Sequence, residues 1–181
     1  MTTQPMQVRQ DLVGRLMTIH NNYILGLASL ALLTSTEAEA VLRRDSASFG
    51  AFTVNFGQVA DLLQKPVDRE DSCKSFLIML MCALIKDTFE LTRHHCKSTG
   101  RLQLLTSQPW HQFARLVRNC MGHNFLFEFR PGDIALLPIS WRHCTLTAAM
   151  NGQPLPLSLF GYAEAWSLFE EMRAFAEVNK L

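Results

Sequence analysis

Within the stretch RNCMGH, an arginine (Arg118) and a histidine (His123) stand five positions apart, with Asn119 directly after the arginine. A guanidinium can make paired, charge-assisted bonds to a phosphoryl group and stabilise the charge that group gains in a transition state. An imidazole can transfer a proton near neutral pH. Together these side chains suit binding a phosphoryl group and moving a proton beside it. The spacing alone selects little, because Arg15 and His20 in RLMTIH repeat it. Helical phase separates the two matches. At 100° per residue, Phe113, Leu116, Val117, Cys120 and Met121 share an apolar arc, whereas Arg115, Arg118, Asn119, Gly122 and His123 take the opposite one. Arg118 and His123 are about 140° apart on an ideal helix and flank Asn119, so they can converge on one ligand without touching each other. Gly122 gives the backbone freedom to turn His123 out of the helix. Around Arg15 and His20 the neighbours Leu16 and Tyr23 are core-like, and no polar companion is present.

Charge along the chain points the same way. The formal net charge is only +1, so no global field draws the protein onto nucleic acid or an anionic membrane. Yet Leu91 to Phe127 contains no Asp or Glu, while it holds Arg93, Lys97, Arg101, Arg115 and Arg118 with His94, His95, His111 and His123. Positive potential gathered along two neighbouring helices suits a phosphate backbone. Arg115, His111, Arg93 and Lys97 are therefore the expected phosphate-binding residues.

Other chemistries fit less well. His94, His95 and Cys96, or Cys120 with His123, offer zinc-type ligands, but Cys120 falls on the apolar arc and His123 on the polar one. No metal and no cofactor are expected. The only dense acidic group, DRED at 68 to 71, stands where a helix start favours acids, so a two-metal nuclease is not indicated. Trp110, Trp141 and Phe127 are of the type that stacks bases, although aromatics beside apolar residues more often pack a core. Five scattered cysteines do not form a disulfide framework.

These residues must be held by a scaffold, and the patterning outlines one. Apolar residues at helical spacing predict a long helix over residues 6 to 34, and TSTEAEAVLRRD reads as a further helix or capped turn. Residues 45 to 66 read as a loop followed by a short helix. A second strong helix starts near DREDSCKSF and runs to about Lys97, and KSTGRLQ connects it to a third that opens after SQP and ends at Gly122 or His123. The period then shifts. FLFEF, IALLPISW, HCTLTAAM and LPLSLF, separated by RPGD and NGQP turns, suggest a small antiparallel sheet or a pair of hairpins over 125 to 160. A last helix covers YAEAWSLFEEMRAFAEVNKL. The expected architecture is a single mainly α domain over 1 to 181, an antiparallel helical bundle with a β-hairpin or sheet insertion between the third and last long helices. The longest apolar runs, 23 to 33 and 76 to 85, are shorter than a bilayer span, and no secretory signal is recognised, so a cytoplasmic protein without a membrane partner is expected.

RNCMGHNF resembles the Arg-x4-6-His signature of HEPN domains, in which a polar residue such as Asn commonly follows the arginine. The passage ARLVRNCMGHNFLFEF…LPISW is similar to plasmid-borne and other bacterial HEPN proteins of unassigned role. The signature covers about six residues, and the helix order extends the likeness less specifically over most of the chain. The resemblance implies an HEPN-like helical bundle that forms a homodimer, two motifs facing each other across a symmetric cleft. It implies a metal-independent endoribonuclease or RNase-like toxin, with RNA as substrate and an antitoxin protein as a further partner. Carried over by position, Arg118 holds the phosphate, His123 transfers the proton and Asn119 orients them. The β-rich segment departs from the family. The family also contains non-catalytic nucleotide-binding and protein-interaction modules, which form the alternative expectation.

Overall fold

Apolar side chains recurring every three to four residues build eight α-helices among the described residues of this computed structural model, which are 11–33 and 35–181. They are α1 Leu12–Leu33, α2 Thr36–Arg44, α3 Gly57–Gln64, α4 Pro66–Ser98, α5 Leu102–Thr106, α6 His111–Gly122, α7 Pro131–Ile134 and α8 Tyr162–Val178. Two antiparallel hairpins accompany them, β1 Ser46–Phe49 with β2 Phe52–Asn55, and β3 Ile139–Trp141 with β4 Cys144–Leu146. The protein is thus mainly helical with two small two-stranded sheets. Residues 6–10 and 34 of the expected first helix lie outside the described residues.

The chain forms two compact units. The larger takes the described residues up to His20 together with Met81–Leu181, and the smaller spans Asn21–Leu80. In the larger unit, α4 buries Met81, Ile85, Phe89 and Cys96, positions that repeat on one helical face. α6 adds Phe113, Leu116, Val117 and Cys120, and α8 adds Leu168, Met172 and Phe175. Leu12 and Leu16 of α1 enter the same cluster. α1 has the length and apolarity of a membrane-crossing helix, but these two leucines commit its first turns to a protein core. Each fully buried side chain of this size stabilises the fold by roughly 1.5–3 kcal/mol.

The segment expected to be a sheet is mostly irregular. FLFEF is no strand, because the chain passes through left-handed backbone at Asn124 and Phe125 (φ 54° and 63°) and makes a single bridge, Leu126 to Pro154. RPGD begins a short helix, α7, rather than a turn. IALLPISW and HCTLTAAM shrink to β3 and β4, and LPLSLF forms no strand. Pro138 and Pro156 lack the N–H that a ladder needs. What orders the segment is packing. Trp141 and Phe160 meet Phe113 at ring-centroid distances of 5.2 and 5.8 Å. Glu171 of α8 accepts hydrogen bonds from Trp141 Nε1 and Arg142 Nε, both at 3.0 Å.

In the smaller unit, the loop expected at the start of residues 45 to 66 is instead the β1–β2 hairpin, and the short helix after it is α3. Gly50, at φ +62°, makes the turn. Arg43 of α2 bonds Glu39 and reaches Asp61 of α3 at 2.9 Å. Gly26 allows close approach of α1 to α4, since a Cβ there would fall 2.5 Å from Leu80 Cδ2. Tyr23 and Ala60 are the buried apolar side chains of this unit, while Phe49 and Phe52 pair across the hairpin tip in solvent.

Candidate functional site

The polar arc of α6 lines a cleft of about 670 Å³ in the larger unit, and Arg118, Asn119 and His123 all line it. α6 presents Arg118 and Asn119 from its last turns because its opposite face is sunk in the core. His123 follows as the C-cap, with φ −112° and ψ 48°, so its backbone has left the helix as Gly122 permits. The second half of α4 contributes Glu90 and Arg93 to the cleft. The remaining wall comes from residues 127–130 and 151–152. Backbone bonds hold those two stretches together, with Phe127 N–H donating to Gln153 O at 3.0 Å and Gly152 N–H to Phe127 O at 2.7 Å. Gly152 sits at φ +74°, a conformation that favours glycine and bends the chain back toward α6.

Acidic side chains meet the expected cations here. Glu90 Oε1 accepts from Arg118 Nη2 at 2.5 Å, and Glu90 Oε2 from Arg93 at 3.4 Å. Arg118 also donates through Nη1 to Asn119 Oδ1 at 2.8 Å, which fixes the asparagine's orientation. His123 Nδ1 lies 3.3 Å from Glu128 Oε2, a contact that leaves Nε2 for a ligand. Arg115 donates to Gln112 at 2.9 Å and to Asp133 at 2.6 Å. Burial alone would raise the Asp133 carboxyl, but the bonds from Arg115 and from the Arg130 backbone N–H outweigh it and hold it below the usual carboxylate range. Four arginines and two glutamates line the cleft, so a positive excess survives the pairing. Arg130 is the lining arginine whose guanidinium has no ion-pair partner among the described residues.

Arg118, His123, Asn119, Arg115 and Arg93 therefore come together in one cleft. Two expected phosphate binders do not. His111 is only 5 % exposed and packs against Phe89, ring centroids 5.6 Å apart; burial, then Arg115, pushes its pKa down. It is a core residue, because it starts α6 on the face that meets α4. Lys97 is exposed in the last turn of α4 and does not line the cleft. Trp110, Trp141 and Phe127 are buried, so they pack the core rather than offering open faces. Cys120 is buried on the far side of α6 from His123, and burial pushes its thiol up to about 12. His20 packs on Trp166 and Phe169, at 5.2 and 5.8 Å, which gives the second Arg-x4-His match a packing role.

Sequence reasoning missed Glu90, Glu128, Arg130 and Asn151. The acid-free stretch ends one residue short of the cleft's glutamates at either side, so Leu91 to Phe127 excluded both of the residues that balance it. The i,i+3 pair Glu90 and Arg93 was a readable signal. Glu128 and Asn151 were not readable, because an irregular segment has no period to place them. No family model matches the chain, and no curated protein or solved structure matches it, so the site rests on its own geometry.

Proposed function

We propose that the protein is a metal-independent endoribonuclease of the HEPN type, acting as a homodimer in the cytoplasm, with an antitoxin protein as a further partner. The observation that carries this reading is the convergence of Arg118, Asn119 and His123 on one positively biased cleft, with His123 Nδ1 on Glu128 and Nε2 unengaged. In the proposed reaction the RNA 2′-oxygen attacks the adjacent phosphorus and the P–O5′ bond breaks, leaving a 2′,3′-cyclic phosphate and a 5′-hydroxyl. His123 takes the 2′-hydroxyl proton, and His123 of the second copy delivers a proton to the departing O5′. Arg118 stabilises the charge gained by the phosphoryl oxygens. A twofold arrangement supplies both histidines from one sequence position.

The pairing of Arg118 with Glu90 favours the second reading, a non-catalytic nucleotide-binding or interaction module, because the arginine is engaged before any ligand arrives. One experiment separates the two. Mixed RNA incubated with purified protein and excess chelator is cleaved under the first reading, and Arg118→Ala or His123→Ala stops cleavage without unfolding the protein. Intact RNA over a wide range of protein concentration would leave the non-catalytic module standing.

A further inference from the structure

The cleft holds two asparagines, one on each wall, and the same chemistry orients both. Asn119 Oδ1 accepts from Arg118 Nη1 at 2.8 Å. Asn151 Oδ1 accepts from the backbone N–H of Phe129 at 2.8 Å. A backbone N–H and a guanidinium can only donate, so the bonded atom is the amide oxygen in each case and the amide nitrogen is turned away from that bond. Among the described residues neither Nδ2 has a partner. The acceptors of the cleft are largely engaged. Both oxygens of Glu90 are in ion pairs, and Glu128 leans on His123. Arg130 lines the same cleft, and its guanidinium makes no hydrogen bond among the described residues. The wall opposite α6 therefore offers a ligand the amide donor of Asn151 and the guanidinium of Arg130, with Glu128 Oε1 as the acceptor beside them.

Resting on the endoribonuclease reading above, we propose that Asn151 is a specificity-determining residue, whose fixed amide N–H2 selects a keto base beside the cleaved phosphate. A carbonyl edge, such as O4 of uracil or O6 of guanine, accepts from this donor. The amino group that cytosine or adenine carries at the same place would set donor against donor and leave both unpaired. Asn119 belongs to the wall that handles the phosphate, so the reading of the base falls to Asn151. Its position suits that task, since it follows the Ala148–Met150 turn and is pinned to the chain at Phe129 rather than free to rotate.

The test uses fluorescent hexauridylate and hexacytidylate with 2′-O-methyl groups throughout, which the protein cannot cleave by the proposed route. Fluorescence anisotropy on the full chain measures both affinities. Wild type should bind the uridylate roughly tenfold tighter, the effect of one hydrogen bond gained against one polar pair left unmade. Asn151→Asp keeps an oxygen for Phe129 N–H but replaces the donor by an acceptor, so the preference should reverse toward cytidylate. Asn151→Ala should remove it. Equal wild-type affinities overturn the proposal without recourse to any variant. An unchanged uridylate preference in Asn151→Asp, with RNA still cleaved, overturns it and spares the endoribonuclease reading. Binding of neither oligonucleotide at any concentration overturns both.

Discussion

Glu90 competes with phosphate for Arg118, and the competition has a measurable size. Charge centres about 4 Å apart at an effective dielectric near 20 attract by roughly 4 kcal/mol, but solvation and side-chain entropy remove most of this from a partly exposed pair. The two side chains are 32 % and 36 % exposed, which puts the net worth of the pair near about 1 kcal/mol. A phosphodiester entering the cleft must displace Glu90 and sit beside its charge. Glu90→Gln keeps the shape and one hydrogen bond while removing that charge. An uncleavable oligonucleotide should therefore bind Glu90→Gln about fivefold more tightly than wild type at fixed ionic strength. Fluorescence anisotropy measures the change directly. Unchanged or weaker binding by a variant that remains folded at the assay temperature would refute the idea that Glu90 holds Arg118 against the ligand.

Two further outcomes concern stability. His111 has a depressed pKa in the fold, so the native state binds fewer protons than the unfolded chain; its contribution is present above the unfolded value near 6.5 and is lost as pH falls through the folded value. Wild type should lose stability below about pH 6.5 by at most about 1.4 kcal/mol per pH unit from this group, and His111→Phe, which keeps the aromatic contact with Phe89, should flatten that limb in thermal unfolding. Asp133→Asn removes the charged partner of Arg115 and weakens the bond from the Arg130 N–H, and should cost about 2–3 kcal/mol in urea unfolding. Asp133 stabilises above the ordinary carboxylate range, so this difference should narrow as pH falls through its lowered folded value.

Helices were legible where one face alone is apolar. The α6 pattern set Cys120 and Met121 against Arg118 and Asn119, and the buried and cleft-lining positions follow that division. His111 escaped because a histidine counts as polar in any such pattern, although an aromatic ring can pack on Phe89. The cleft's second wall escaped for a different reason. Residues 125–130 and 151–155 pair through a few backbone bonds around left-handed Asn124, Phe125 and Gly152, and those torsions follow from tertiary packing, not from local alternation. FLFEF alternates as a strand would, since Phe127 and Phe129 are buried and Glu128 is exposed, yet one bridge at Leu126 is all the ladder it makes. Burial alternation and strand pairing are separate properties, and only the first is written in the residues.

α4 is one helix whose two halves belong to different compact units, and this has a consequence for hydrogen exchange. Amides from Met81 to Ser98 sit above a face that buries Met81, Leu84, Ile85, Thr88, Phe89, Thr92 and Cys96. Amides from Val67 to Leu80 belong to a unit whose buried apolar side chains are Tyr23 and Ala60. Helical hydrogen bonds without tertiary packing are marginal, so the first half should open by local fluctuations while the second opens only with the larger unit. Protection should accordingly rise along a single unbroken helix, in step with the side chains it buries and not with its hydrogen-bond pattern. Glu90 and Arg93 fall on the protected side, which keeps the cleft's α4 wall in register while the far end of the same helix breathes.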